Sequence, residues 1–348
     1  MQLRASTGTC IALGLLRGRC DVLPTTAYLL LGEGCRRACA FCAQSSRSCS
    51  AAGMLSRVSW PAVELPDLLE RLSQACRGSE QTGGHLREDR GTESYRLKRV
   101  CIQATDRADT LDNLLTLVPV LKEASGVPVS TSFRPRSLGD IGRLFDAGVD
   151  RLGIAIDAAD PEVYARVKGE SFESAKEFLF SAASQYKGRI STHIIVGLGE
   201  TEESAVRLIS ECLSAGLTVG LFAFTPVKGT ALESSMPPEI GKYRRVQVAL
   251  HLLKHGLVTV EDFHFTDGRI HSIDVDPTTA LETLADGSAF LTSGCDGCNR
   301  PYYNERPAAV PYNYPRPLGN DEVLQAVEAT GLWAADAVNA ASKKVRGA

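Results

Sequence analysis

Three cysteines crowd the stretch GCRRACAFCAQ (34–44), at Cys35, Cys39 and Cys42, with Phe41 directly before the last. Thiolates so placed on one short loop hold three irons of a cubane cluster and leave the fourth iron open. A structural zinc site takes four closed protein ligands, and the nearest candidates fall short. Gly32 and Gly34, just ahead of Cys35, let the backbone wrap closely around such a group. A second tight pair, Cys295 and Cys298, lies in SGCDGCNRP between Gly294 and Gly297. Two thiols need further partners to hold a cluster. As they stand they also fit a redox pair, or part of a zinc site.

The chain has 11 cysteines, more than an ordinary enzyme carries. With no sign of export, disulfides are not expected, so spacing separates metal ligands from core fillers. Cys76 and Cys212 fall in helical patterns (LLERLSQACRG and AVRLISECLSAG) and read as core. Cys10, Cys20 and Cys49 stand alone in irregular stretches.

The elements that position these thiols alternate in type. Strand-like runs read TAYLLLGEG (26–34), LKRVCIQAT (97–105), VPVSTSFR (127–134), VDRLGIAID (149–157), ISTHIIVGL (190–198), LTVGLFAFTP (217–226), LVTVEDFHFTD (257–267) and AFLTSG (289–294). Amphipathic helix candidates fall between them: VELPDLLERLSQACR, LDNLLTLVPVLKEAS, LGDIGRLFDAG, ESAKEFLFSAASQY, EESAVRLISECLSAG and IGKYRRVQVALHLLKHG. Apolar residues recur every three to four positions, and a glycine often closes the segment. The pattern predicts an α/β fold, a (β/α)8 TIM-type barrel in one domain, with a doubly wound open sheet as the alternative. In a barrel, the Cys35 loop follows the first strand at the C-terminal mouth. Cys295 and Cys298 follow the eighth, which puts them at the same mouth.

The expected organisation is an N-terminal extension (1–24), the barrel (25–298) and a C-terminal extension (299–348). The last is rich in Pro, Tyr and Asn and ends in a closing helix beginning NDEVLQAVEATGL. Residues 77–96 are polar and Gly-rich and read as a mobile surface loop. Composition narrows the function classes. At 44% hydrophobic and 23% charged the chain is globular. A net charge of −3 gives no basic field for nucleic acid. The apolar stretch Ile11–Leu15 is too short for a signal peptide, and no run approaches a membrane span, so a cytoplasmic protein is expected.

The Cys-x3-Cys-x2-Cys motif with its aromatic resembles the radical S-adenosylmethionine (SAM) enzymes, and the likeness extends over roughly residues 25–300. It implies a 4Fe–4S cluster on Cys35, Cys39 and Cys42 whose open iron chelates SAM, with Phe41 beside it. Reductive cleavage of SAM then yields a 5′-deoxyadenosyl radical. HIIVGLGETEES (193–204) is similar to the family's fifth-strand segment. That likeness implies cofactor-binding roles for Gly197, Gly199 and Glu200, although a tight strand-to-helix turn explains GLGE equally well. Asp157 is similar in position to an acidic SAM-binding residue of biotin synthase-like members; it also reads as a helix cap before DPE. TPVKGTALE (225–233) is similar to the sixth-strand exit of biotin synthase.

Cys101 matches a biotin synthase position that ligates a sulfur-donating cluster. That enzyme takes another cysteine from the third strand, where VPVSTSF has none, and His264 falls near its arginine ligand. The resemblance therefore implies a second, auxiliary 4Fe–4S cluster on Cys101, Cys295, Cys298 and one further ligand, with Cys10, Ser293 and His264 as candidates. The two end segments, LRASTGTCIALGL and SGCDGCNRPYYNERP with YNYPRP, are similar to subunits of the split, two-component lipoyl synthase. This implies sulfur insertion into an octanoyl chain on a carrier-protein lysine. The implied partners are an octanoylated carrier protein or octanoyl-lysine peptide, a second radical SAM subunit, and an electron donor such as ferredoxin or flavodoxin. Alternatives are biotin-type sulfur insertion into dethiobiotin, a mutase, lyase or maturase that inserts no sulfur, and an accessory subunit. Tyr302, Tyr303, Tyr312 and Tyr314, with Arg300, Arg306 and Arg316, read as a lip, a docking surface or a Pro-rich wrap packed on the barrel wall.

Overall fold

The computed structural model describes residues 2–77, 96–303, 305 and 309–334. Most of the expected loop 77–96, Arg306 and the end of the closing helix lie outside them. In chain order the elements are β1 (Leu3–Ala5), α1 (Thr7–Ala12), β2 (Thr26–Leu31), β3 (Met54–Leu55), β4 (Val58–Ser59), α2 (Leu65–Arg77) and β5 (Arg99–Ala104). Then come α3 (Thr110–Ser125), β6 (Val129–Ser132), α4 (Leu138–Asp146), β7 (Arg151–Gly153), α5 (Pro161–Lys168), α6 (Phe172–Gln185) and β8 (Ile190–Val196). The chain ends with α7 (Glu202–Ser214), β9 (Thr218–Ala223), α8 (Ile240–Lys254), β10 (Phe263–Thr266), β11 (Arg269–Ile273), α9 (Pro277–Leu284) and α10 (Asn320–Glu328).

The main sheet has the order β1-β2-β5-β6-β7-β8-β9. From β2 to β9 every pairing is parallel. A doubly wound sheet reverses its strand order at a switch point. Here the order never reverses, so the TIM-like class holds. β1 adds an antiparallel edge to β2, through Leu3↔Leu31 and Ala5↔Leu29.

Local chemistry explains the crossovers. Ser137 and Asp140 form a capping box at the start of α4. Asp160 caps α5 ahead of Pro161, and Gly169 closes it in the left-handed region. Thr201 caps α7. In β8 the buried residues Ile190, Thr192, Ile194 and Val196 alternate with half-buried Ser191, His193 and Ile195. The buried set packs under the helices, and the half-buried set faces into the ring.

Two expected strands are not in the sheet. The run 257–267 supplies β10, which pairs only with β11. The cause is an Asp267–Gly268 turn with both φ values positive (51° and 73°), a strong hairpin signal. This hairpin packs on a second apolar cluster built from α8, α9 and α10. The run 289–294 forms a short 3-10 turn and a single bridge, Leu291↔Tyr314. The ring between β9 and β2 is therefore bridged by loop. Cys76 and Cys212 lie in the main core, as their helical spacing predicts. Among the described residues no helix is long and apolar enough to cross a membrane.

Candidate functional site

Beyond β2 the chain turns at Gly32 (φ 84°), where a Cβ would come 2.4 Å from Thr105 Oγ1. Only glycine fits there. The loop that follows is clamped to its neighbours. Arg36 N–H donates to the Asp106 carbonyl (2.9 Å) and Ala40 N–H to that of Val167 (2.8 Å). The Arg37 guanidinium bridges Asp106 and Glu170. Cys35 Sγ accepts backbone N–H groups from Arg37 and Asp106, each at 3.4 Å. Burial pushes the Cys42 thiol up to about 12, and it also raises Cys39, against the pull of the Lys168 cation. Thiols in such surroundings keep their protons until a metal displaces them.

The donor set suits a cluster better than a single ion. Three thiols on one loop are soft ligands with no fourth partner. Among the described residues no group of three or more His, Cys, Asp or Glu side chains is gathered for one metal ion.

A cavity of 860 Å³ opens beside the loop, lined by Cys35, Cys39, Cys42, Asp157, Lys168 and His193 among others. Asp157 has φ 63°, in the left-handed region. Its buried carboxylate pairs with Lys168 Nζ and with His193 Nε2, the latter at 2.9 Å. Burial opposes ionisation of Asp157, but the Lys168 ammonium and His193 outweigh it and hold the acid well below its usual range. The helix cap in this segment is Asp160, which leaves Asp157 free to face the cavity.

Glu200 has a different place. Its buried carboxylate accepts the N–H groups of Gly197 (2.7 Å), Leu198 (2.8 Å) and Gly199 (3.2 Å) and pairs with Lys242 (3.0 Å). At Gly197 a Cβ would meet Pro238 at 2.7 Å, and at Gly199 it would meet Arg166 at 2.5 Å. These three residues build the strand-to-helix turn, and the cavity wall nearby is made by His193 and Ile195 instead. His193 and Lys168 are not evident from the sequence. The inward period of β8 is a usable signal for His193, whereas nothing local marks Lys168.

The second group of thiols corrects an expectation. Cys295 and Cys298 do not share the mouth with Cys35. The Ser293 hydroxyl accepts the Leu221 N–H of β9 at 2.7 Å. Asn299 accepts the Thr25 N–H (2.9 Å) and donates to the Leu23 carbonyl (3.0 Å), just before β2 begins. The loop thus crosses the ring from the middle of β9 to the N-terminal end of β2. It does so because the chain arrives there without a seventh and an eighth strand to carry it to the other end.

Cys101 is in the middle of β5, opposite Tyr28 and Ser130 in register. Tyr28 Oη contacts Cys298 Sγ at 3.2 Å and accepts the Arg300 N–H at 2.8 Å. Burial, with Cys295 and Cys298 nearby, pushes the Cys101 thiol up to about 12. Burial likewise raises Cys295, opposed by Arg99, Arg151 and Arg300. Of the candidate further ligands, Cys10 is buried with Sγ 3.7 Å from the Ala5 carbonyl, and His264 pairs with Asp274 on the exposed hairpin. Only Ser293 lines the chamber.

That chamber, 220 Å³ in volume, joins the two thiol groups. Phe41 and Cys42 border one side, and Cys101, Cys295 and Cys298 border the other. Phe41, Cys42, Gln103, Ser132 and His193 line both this chamber and the mouth cavity. Arg300 lies over the Phe222 ring at 3.8 Å and donates to the Ser293 carbonyl at 2.8 Å. A small apolar space with a few fixed polar groups is the usual form of a substrate site.

Among solved structures the chain is similar to the FeFe-hydrogenase maturase HydG from Carboxydothermus hydrogenoformans (16% identity, TM-score 0.49), covering 74% of this chain and 56% of that one. It therefore spans little more than half the length of HydG. Methylornithine synthase (PylB) matches at 16% identity and TM-score 0.49 over 90% of this chain and 84% of that chain. Coproporphyrinogen III oxidase (HemN) from Escherichia coli matches at 13% identity and TM-score 0.40, over 74% and 58%. The family model described as the Radical SAM superfamily matches residues 29–212, more than half of the 348-residue chain and inclusive of the cysteine loop. The chain belongs to the radical SAM superfamily, whose enzymes use a 4Fe–4S cluster and SAM.

Proposed function

We propose that this radical SAM enzyme inserts sulfur, and that it thiolates the octanoyl chain carried on a protein lysine. The observation that supports this most is the chamber bounded by Cys42 on one side and by Cys101, Cys295 and Cys298 on the other. Sulfur insertion at an unactivated carbon needs a radical generator and a sulfur source on opposite sides of the same carbon. When bound, the first cluster and SAM supply hydrogen abstraction, and a second cluster supplies sulfide and accepts electrons.

The residues of the chain do the rest. Cys35, Cys39 and Cys42 would hold the first cluster, and Cys101, Cys295 and Cys298 the second. Lys168 and His193 keep Asp157 ionised at the mouth, where it can accept hydrogen bonds from a bound hydroxyl or ammonium group. Phe41, Phe222 and Phe224 line the passage and exclude water, which keeps a reacting carbon apart from side reactions. Three guanidinium groups near Cys295 balance the negative charge of a thiolate-bound cluster. An octanoylated carrier protein, a second radical SAM subunit, and ferredoxin or flavodoxin belong to the same proposal.

The decisive experiment has two arms. After anaerobic reconstitution, the Cys35/Cys39/Cys42→Ala variant should retain about one cubane of iron and sulfide. The wild-type protein, given SAM, reductant and an octanoyl-lysine peptide, should form thiolated product. Loss of all iron from the variant would end the two-cluster reading. Formation of 5′-deoxyadenosine without thiolated peptide would place the enzyme with dethiobiotin as substrate, or among members that insert no sulfur.

A further inference from the structure

The inner site has three thiols, and a cluster on thiolates takes a fourth donor. Ser293 lines the chamber, but its hydroxyl is engaged by the Leu221 N–H. Tyr303 offers an unengaged atom. It is 8% exposed and lines the same chamber. Its ring belongs to a small buried cluster with Tyr28, Leu30 and Trp60, against which Cys101 and Cys298 pack. The Tyr28 and Tyr303 centroids are 5.2 Å apart, and Trp60 meets Tyr303 edge-on at 5.8 Å.

The hydroxyl of Tyr303 is buried without a hydrogen-bond partner. A buried orphan of this kind is rare and costly, and it commonly marks a group whose partner is a ligand. Tyr28, its neighbour, is satisfied on both sides by Cys298 and Arg300. The Tyr303 ring does not depend on its hydroxyl for position, because the Ser56 hydroxyl donates to the Tyr303 carbonyl at 2.8 Å and the two aromatic neighbours fix the plane.

A separate observation concerns charge. Arg99 and Arg151 act on Cys295, and each has a buried Nε without a partner. Cations acting on Cys295 suit an occupant of the inner site that is strongly anionic.

We propose that the Tyr303 phenolate oxygen is the fourth protein donor to the metal group held by Cys101, Cys295 and Cys298; this rests on the auxiliary-cluster reading above. On binding, the phenol O–H bond breaks, an oxygen–iron bond forms, and the proton leaves to solvent, as it does from the thiols. No electron changes hands. The residue falls just beyond the CDGC loop, so the segment that crosses the ring delivers three of the four donors.

The test uses the full chain with Cys35, Cys39 and Cys42 changed to Ala, so that only the inner group absorbs, and reads resonance Raman spectra after anaerobic reconstitution. Tyrosine ring modes should be enhanced under visible excitation, shift with ring-deuterated tyrosine, vanish in Tyr303→Phe and persist in Tyr28→Phe. Bound iron without enhanced tyrosine modes overturns the inference and leaves the two-cluster reading intact. Modes that vanish in Tyr28→Phe but persist in Tyr303→Phe overturn it in favour of the neighbouring phenol. Absence of iron from this background overturns both.

Discussion

The two thiol groups of this protein are built in opposite ways. The mouth group is local: Cys35, Cys39 and Cys42 share one loop, anchored by amide N–H groups, by the Asp106 and Glu170 ion pairs and by Gly32. The inner group is assembled across the molecule, from the middle of β5 and from a loop that reaches the ring after α9. A local group is specified by its own short segment. An assembled one exists only while the barrel is closed and the crossing loop is held at both ends.

The largest effects should come from breaking either group, and they should differ in kind. Cys39→Ala should reduce SAM cleavage to background, read as 5′-deoxyadenosine by chromatography. Cys298→Ala should keep that cleavage, lose about half of the reconstituted iron, as one of two four-iron groups, and form no thiolated product. If Cys298→Ala also lost SAM cleavage in a folded protein, the independence of the two groups would be wrong.

Next is the buried carboxylate of Asp157 at the mouth. Removing one partner of a buried ion pair typically costs about 3–5 kcal/mol, so Asp157→Asn should lower the unfolding free energy by that order in a denaturant titration. The pH dependence has a definite sign. Because the folded-state acid is held far below its ordinary value of 3.8, its contribution is present above that pH and is lost as pH falls toward the folded value. Melting temperature followed downward from pH 6 should therefore fall in wild type below about pH 4. A steeper acid loss in the Asn variant would refute the assignment.

The smallest effect tests the crossing loop. Asn299 ties it to Thr25 and Leu23, and Asn299→Ala should cost about 1–3 kcal/mol for the polar groups left unpaired. Iron retention at the inner group should drop while SAM cleavage stays near wild type. Equal loss of iron from both groups would show that the loop supports the whole barrel rather than one site.

Much of this arrangement is legible in the chain, and the omissions have physical causes. The cysteine loop, the six parallel strands and the main crossover helices follow from period, caps and glycines, because each of these signals is local. The two absent barrel strands mislead because the run 257–267 has strand chemistry but no sheet partner, and the Asp267–Gly268 turn folds it back on itself. Lys168 resembles any lysine at the end of an amphipathic helix. Only the left-handed turn at Asp157 brings a carboxylate to meet it. Tyr303 reads as one aromatic among several in a Pro-rich tail.

The sequence by itself therefore determined the chemistry of the mouth: three thiols, a tight loop and the strand that presents them, all within a short span where backbone geometry and residue type suffice. Tertiary structure alone decided which end of the barrel Cys295 and Cys298 occupy, and which polar atoms are left facing them. Those outcomes depend on where a long chain returns to the ring, and that is settled by packing of α8, α9 and the hairpin on the second core, over distances that residue spacing does not encode.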